Sequence, residues 1–182
     1  IILMSFLNSI NNNSKKFDNP FTHWELNKPL TEDQINEIVN ADIANPAEYD
    51  LNYDGTRAID GGEGNFRKGI ADGGKALKFR CFITKENSNN FPNLTKLINE
   101  LRSKEATKKI TDLTGKDLSH AYVRVEVICD RKGFWLKPHC DIKEKLMSCL
   151  LFVNKYNESE DLGTDFYDNN LNRVKTLPYK DN

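Results

Sequence analysis

The spacing of apolar positions divides the chain into a helical first part and a strand-like last part. Residues 8–20 are rich in Asn, Ser and Lys and hold no sustained period, which predicts a mobile lead-in. His23–Leu26 reads as a short strand. A helix follows with a full set of start signals. Thr31 stands as N-cap, Gln34 completes a capping box three residues later, and Leu30 and Ile35 occupy the positions of a hydrophobic staple. Ile35, Ile38 and Val39 form its apolar face. Residues 45–74 hold most of the glycines and predict a long loop or a set of turns, either a cover over a site or a plain connector. Gly62-Glu63-Gly64 within it is not a phosphate loop, because no strand precedes it, the third glycine is missing and no Gly-Lys-Ser/Thr ending follows. Ala76–Ile83 reads as a strand. Pro92 opens a second helix with Leu94, Leu97, Ile98 and Leu101 on one face. A third runs from Lys104 to Leu113 and stops at Gly115.

From His120 onward the period falls to two. Val123, Val125 and Val127 alternate with Tyr122, Arg124 and Glu126. Phe134–Asp141 reads as extended, and Leu146–Val153 is apolar on both faces, as in a strand inside a core. Gly163–Tyr167 and Arg173–Tyr179 complete a meander of short strands. Helices followed by such a meander predict an α+β chain, with a double-sheet jelly roll behind an N-terminal helical support layer. The expected organisation is a single domain over residues 1–182, with a lead-in at 1–20, a helical support region at 21–118 and jelly-roll strands at 119–182. Leu177–Asn182 reads as a strand running into a turn, so the set of strands is expected to be incomplete. The chain opens on Ile1, and Met4 is a plausible true start.

Composition narrows the classes. A length of 182 residues suits one domain, and 38% hydrophobic with 10% aromatic residues can build a sizeable core. With 26 basic and 27 acidic residues the net charge is −1, and no basic stripe points to nucleic acid or to an anionic membrane. No apolar run reaches bilayer length. Cys81, Cys129, Cys140 and Cys149 include no Cys-x-x-Cys pair, so they read as reduced thiols of a cytoplasmic protein rather than as a zinc or redox motif. Three Asn-x-Ser/Thr matches, at Asn12, Asn93 and Asn157, read as chance in such a protein.

The chemistry is concentrated in Trp135-Leu136-Lys137-Pro138-His139-Cys140-Asp141. On an extended strand, residues two apart face the same side, so His139 and Asp141 point together while Cys140 points away. Pro138 cannot donate to a ladder and places this segment near an edge or rim. One imidazole and one carboxylate on one face are two corners of the facial triad that holds Fe(II) and leaves adjacent positions open. An exposed His and Asp beside a turn is the bland alternative for the same spacing.

Three linked segments resemble the Fe(II)/2-oxoglutarate-dependent dioxygenases, the prolyl-hydroxylase-like oxygenases among them. They are Pro138-His139-Cys140-Asp141, Lys145 opening the apolar run to Asn154, and Gly163-Thr164-Asp165-Phe166-Tyr167 after a polar turn. The resemblance covers about residues 120–168. It implies a double-stranded β-helix, Fe(II) at His139 and Asp141, 2-oxoglutarate as co-substrate, and hydroxylation or a related oxidation. In that family a second histidine follows several strands later, and after it a basic residue that binds the far carboxylate of 2-oxoglutarate. Here no histidine follows Asp141, and His23 and His120 precede the motif. The departure is read as a chain that stops before its last strands, or as a relative that lost the site. Arg124 and Lys145 are the candidate 2-oxoglutarate contacts, with an Arg124–Glu126 ion pair and a surface lysine as the plainer readings. Two other functions stay open: a cupin-like metal protein that is not an oxygenase, which wants more histidines, and a metal-free jelly-roll binding protein. The substrate and the oligomeric state are not legible.

Overall fold

The helix that follows Thr31 is started by side chains as well as by the backbone. Gln34 N–H donates to Thr31 Oγ1 (3.2 Å), and Thr31 N–H donates to Gln34 Oε1 (3.0 Å). This reciprocal pair starts helix α2, Glu32–Val39. Leu30 and Ile35, at the two staple positions, are both fully buried, and each contributes about 1.5–3 kcal/mol of apolar burial. The computed structural model describes residues 6–12, 14–43, 78–130 and 132–180. The glycine-rich stretch at 45–74 lies outside the described residues.

The elements run α1 (Phe6–Asn12), β1 (Lys15–Phe17), β2 (His23–Glu25), α2, β3 (Lys78–Phe82), α3 (Pro92–Leu101), α4 (Lys104–Thr114), β4 (Glu126–Asp130), β5 (Thr164–Tyr167) and β6 (Arg173–Leu177), with single 3-10 turns at Ser88–Asn90 and Glu160–Leu162. Among the described residues the strands form three antiparallel pairs: β1 with β2, β3 with β4, and β5 with β6. No helix among them is long and apolar enough to cross a membrane.

By contact the chain divides into two units. One consists of Ile1–Val39, Lys96–Val123 and Cys140–Asn182, and the other of Asn40–Thr95 and Arg124–His139. In the first, α1 packs against α4. Phe6, Leu7 and Ile10 of α1 are buried, as are Ala106 and Ile110 of α4. The asparagine-rich lead-in thus contains a helix. Its i, i+4 apolar pair Phe6 and Ile10 is diluted by poor helix formers, which hides the period. Ser9, also buried, donates its hydroxyl to Phe6 O (2.6 Å). Helix α4 begins at the N-cap Ser103, whose Oγ accepts from Ala106 N–H, and ends at Gly115, where φ is +69°. That left-handed C-cap is a conformation that glycine takes without a Cβ penalty.

In the second unit, β3 and β4 pair with Cys81 opposite Val127. Among its described residues Cys81, Phe82, Phe91, Leu94 and Val127 are buried and apolar. The ladder begins four residues later than the valine alternation predicts. Just past β3 the chain turns: Asn87 Oδ1 accepts from Thr84 N–H (2.8 Å) and Asn87 Nδ2 donates to Phe82 O (2.7 Å). Beyond Phe82, Ile83 N–H still donates to Val125 O, and among the described residues Tyr122–Arg124 pair with no strand.

The expected strands at Phe134–Asp141 and Leu146–Val153 join no ladder among the described residues. Leu146, Met147 and Leu150 are exposed. Among the described residues β5 and β6 pair with each other and offer these segments no ladder. The far end of this run is anchored, because Tyr179 Oη donates to Val153 O (2.7 Å) and Asn154 Nδ2 donates to Tyr179 O (3.0 Å).

The β5–β6 hairpin rests on two local devices. At Gly163 a Cβ would lie 1.7 Å from Leu177 O, so only glycine fits. At the turn, Asp168 accepts from the N–H groups of Asn172 and Asn170 and from Asn172 Nδ2, and those bonds hold its carboxyl below the usual range. Gly163→Ala is expected to cost about 1–3 kcal/mol by steric overlap, read as a fall in melting temperature. Because the folded carboxyl of Asp168 is lowered, its contribution is full above the unfolded value of about 3.9 and fades as pH falls below it. Asp168→Asn should flatten that part of the stability profile between about pH 5 and 2, measured by denaturant titration.

Candidate metal centre at His139 and Asp141

His139 sits in extended chain just after Pro138 and is exposed. Its Nδ1 lies 2.8 Å from Lys137 O. A carbonyl only accepts, so Nδ1 carries a proton, and in the neutral ring the lone pair is then on Nε2. A metal-ligating histidine needs this arrangement: one nitrogen fixed by a carbonyl, the other available.

Asp141 precedes a tight turn closed by Lys145 N–H donating to Ile142 O. The turn brings Lys145 Nζ to Asp141 Oδ1 (2.8 Å) and Ser148 Oγ to Asp141 Oδ2 (2.6 Å). Both oxygens are therefore oriented by side chains of the same segment. Ser148 was not singled out by the sequence reading. Its only signal is that it lies seven residues after Asp141, beyond a turn. Both side chains are exposed.

The two basic candidates are engaged by carboxylates of the chain. Arg124 Nε lies 2.9 Å from Glu126 Oε1, and its guanidinium stacks over the Phe82 ring at 5.1 Å. Lys145 is held by Asp141. His120 lies in a turn and is exposed. Among the described residues, which include all three histidines, no three His, Cys, Asp or Glu side chains gather into a metal-binding group.

A second His-x-acid pair does converge. On β2, His23 Nε2 and Glu25 Oε1 approach one point, where Lys175 Nζ sits at 3.0 and 2.6 Å. The sequence carries a signal for it, a histidine and a glutamate two apart on a predicted strand, but Lys175 lies 150 residues away from Glu25.

All four cysteines are free thiols. Burial pushes the Cys81 thiol up to about 11, whereas Cys140 is exposed. Thiolate is the reactive form, so alkylation of the folded protein at mildly alkaline pH should label Cys140 and spare Cys81 until unfolding. Peptide mass mapping reads this, and early labelling of Cys81 would contradict its burial. No protein-family model, curated protein or solved structure matches this chain.

Proposed function

We propose that the chain supplies two ligands of the iron centre of an Fe(II)/2-oxoglutarate-dependent oxygenase on a double-stranded β-helix. One observation carries this reading. His139 has its tautomer set by Lys137 O so that Nε2 can ligate, and two residues later stands a carboxylate whose orientation is fixed by Ser148 and Lys145. Borderline-soft imidazole with hard carboxylate is a donor set that suits a ferrous ion. The bound iron and co-substrate would supply oxidation of a substrate C–H bond. His139 binds through Nε2 and Asp141 through a carboxylate oxygen. Ser148 holds the other oxygen, as outer partners do at metal sites. Lys145, already facing a carboxylate, and Arg124 are the groups assigned to the carboxylates of 2-oxoglutarate.

The triad needs one more imidazole, which the family pattern puts several strands beyond Asp141, and none lies between Ile142 and Asn182. The exposure of both side chains favours a second reading, a metal-free jelly-roll binding protein. The oxygenase reading goes with a reducing, cytoplasmic setting.

Both are tested on a protein extended past Asn182. Fe(II) titration and 2-oxoglutarate-dependent O₂ uptake are expected for the parent. Asp141→Ala should abolish both with circular dichroism unchanged, and Ser148→Ala should weaken iron binding about 10–100-fold. Iron retained tightly by Asp141→Ala rejects the assigned ligand. A parent that neither binds iron nor consumes oxygen leaves the metal-free reading.

A further inference from the structure

The cluster around Lys175 lies within the first unit and is independent of His139. His23 is held at both ring nitrogens, and each contact dictates a role. Nδ1 faces Phe21 O at 2.9 Å, so it must donate. Nε2 faces Lys175 Nζ at 3.0 Å, and an ammonium only donates, so Nε2 must accept. Only the neutral imidazole protonated at Nδ1 satisfies both. Glu25, on the same face of β2, gives a carboxylate oxygen to the same ammonium at 2.6 Å.

The surroundings favour a cation. Lys175 Nζ lies 3.7 Å from the centroid of Phe17, over the ring face. Phe17 stacks on His23 (5.1 Å, 11°), and Phe166 meets His23 edge-on (4.9 Å, 83°). The Lys175 side chain is only 25% exposed, so bulk water screens the contact incompletely.

We propose that His23 Nε2 and Glu25 Oε1 form a two-point cation site whose resident cation is the Lys175 ammonium, and that Lys175 keeps divalent metal out of it. Nitrogen of a neutral imidazole and oxygen of a carboxylate are ligands for zinc-like ions. His23 Nε2 and Glu25 Oε1 already converge on one point, so the placing of two ligands is done by the fold. The lysine head occupies that point and adds a positive charge that repels a second cation. Of the two His-x-acid pairs in the chain, this one is therefore closed to metal by its own lysine.

The test uses the full chain and Zn²⁺ alone, with long-range ¹H–¹⁵N NMR of the His23 ring as readout, which separates this site from His139. In the parent, His23 is expected as the Nδ1–H tautomer and insensitive to Zn²⁺. Lys175→Met keeps an apolar stem over Phe17 and should let Zn²⁺ shift the His23 ring saturably, with affinity at least about tenfold above the parent. Glu25→Gln added to that variant should remove the gain. Equal response in parent and Lys175→Met, or a gain that survives Glu25→Gln, overturns the proposal. So does an Nε2–H tautomer in the parent, a result that needs no variant to fold.

Discussion

A two-stranded hairpin is barely stable alone in water, and every sheet among the described residues has two strands. Each pair must therefore lean on something else. For β1–β2 and β5–β6 that support is a small cluster of rings around one ammonium. Lys175 of β6 reaches His23 and Glu25 of β2, while Phe166 of β5 packs on His23 and Phe21. The cluster joins residues about 150 positions apart, and it makes the register of each hairpin matter to the other. A slip by one residue would turn Lys175 to the opposite face.

The helices show the same dependence on partners. Helix α1 is too short to persist as an isolated peptide. It exists because Phe6, Leu7 and Ile10 find an apolar surface, with α4 packed against them. The run Leu146–Val153 shows the opposite case. It has the composition of a core strand, yet no ladder among the described residues reaches it and its leading apolar side chains stay exposed. Hydrophobicity alone does not make a strand, because the backbone groups also need a neighbour to bond.

The two His-x-acid pairs bear on the chemistry in contrasting ways. At His139 and Asp141 the supporting bonds are local, from Lys137, Lys145 and Ser148. They direct the Nδ1 proton to Lys137 O and orient both oxygens of the carboxylate. At His23 and Glu25 the acceptors are filled by a lysine from far along the chain. The same residue spacing thus gives an iron-ligand candidate in one place and a closed ion pair in the other.

The sequence by itself determined what is local. The capping box at Thr31 and Gln34, the stop at Gly115, the helices at Pro92 and Lys104, and the neighbouring spacing of His139 and Asp141 were all legible, because each depends on contacts within a few residues. The ion pair of Arg124 with Glu126 was legible for the same reason. Only the tertiary structure decided the rest: that the lead-in forms α1, that the valine strand pairs from Glu126 onward, that Gly163 lies against Leu177 O, and that Lys175 fills the cradle on β2. Those outcomes depend on which segments meet in space, and local apolar spacing fixes which face is buried without naming the partner that buries it.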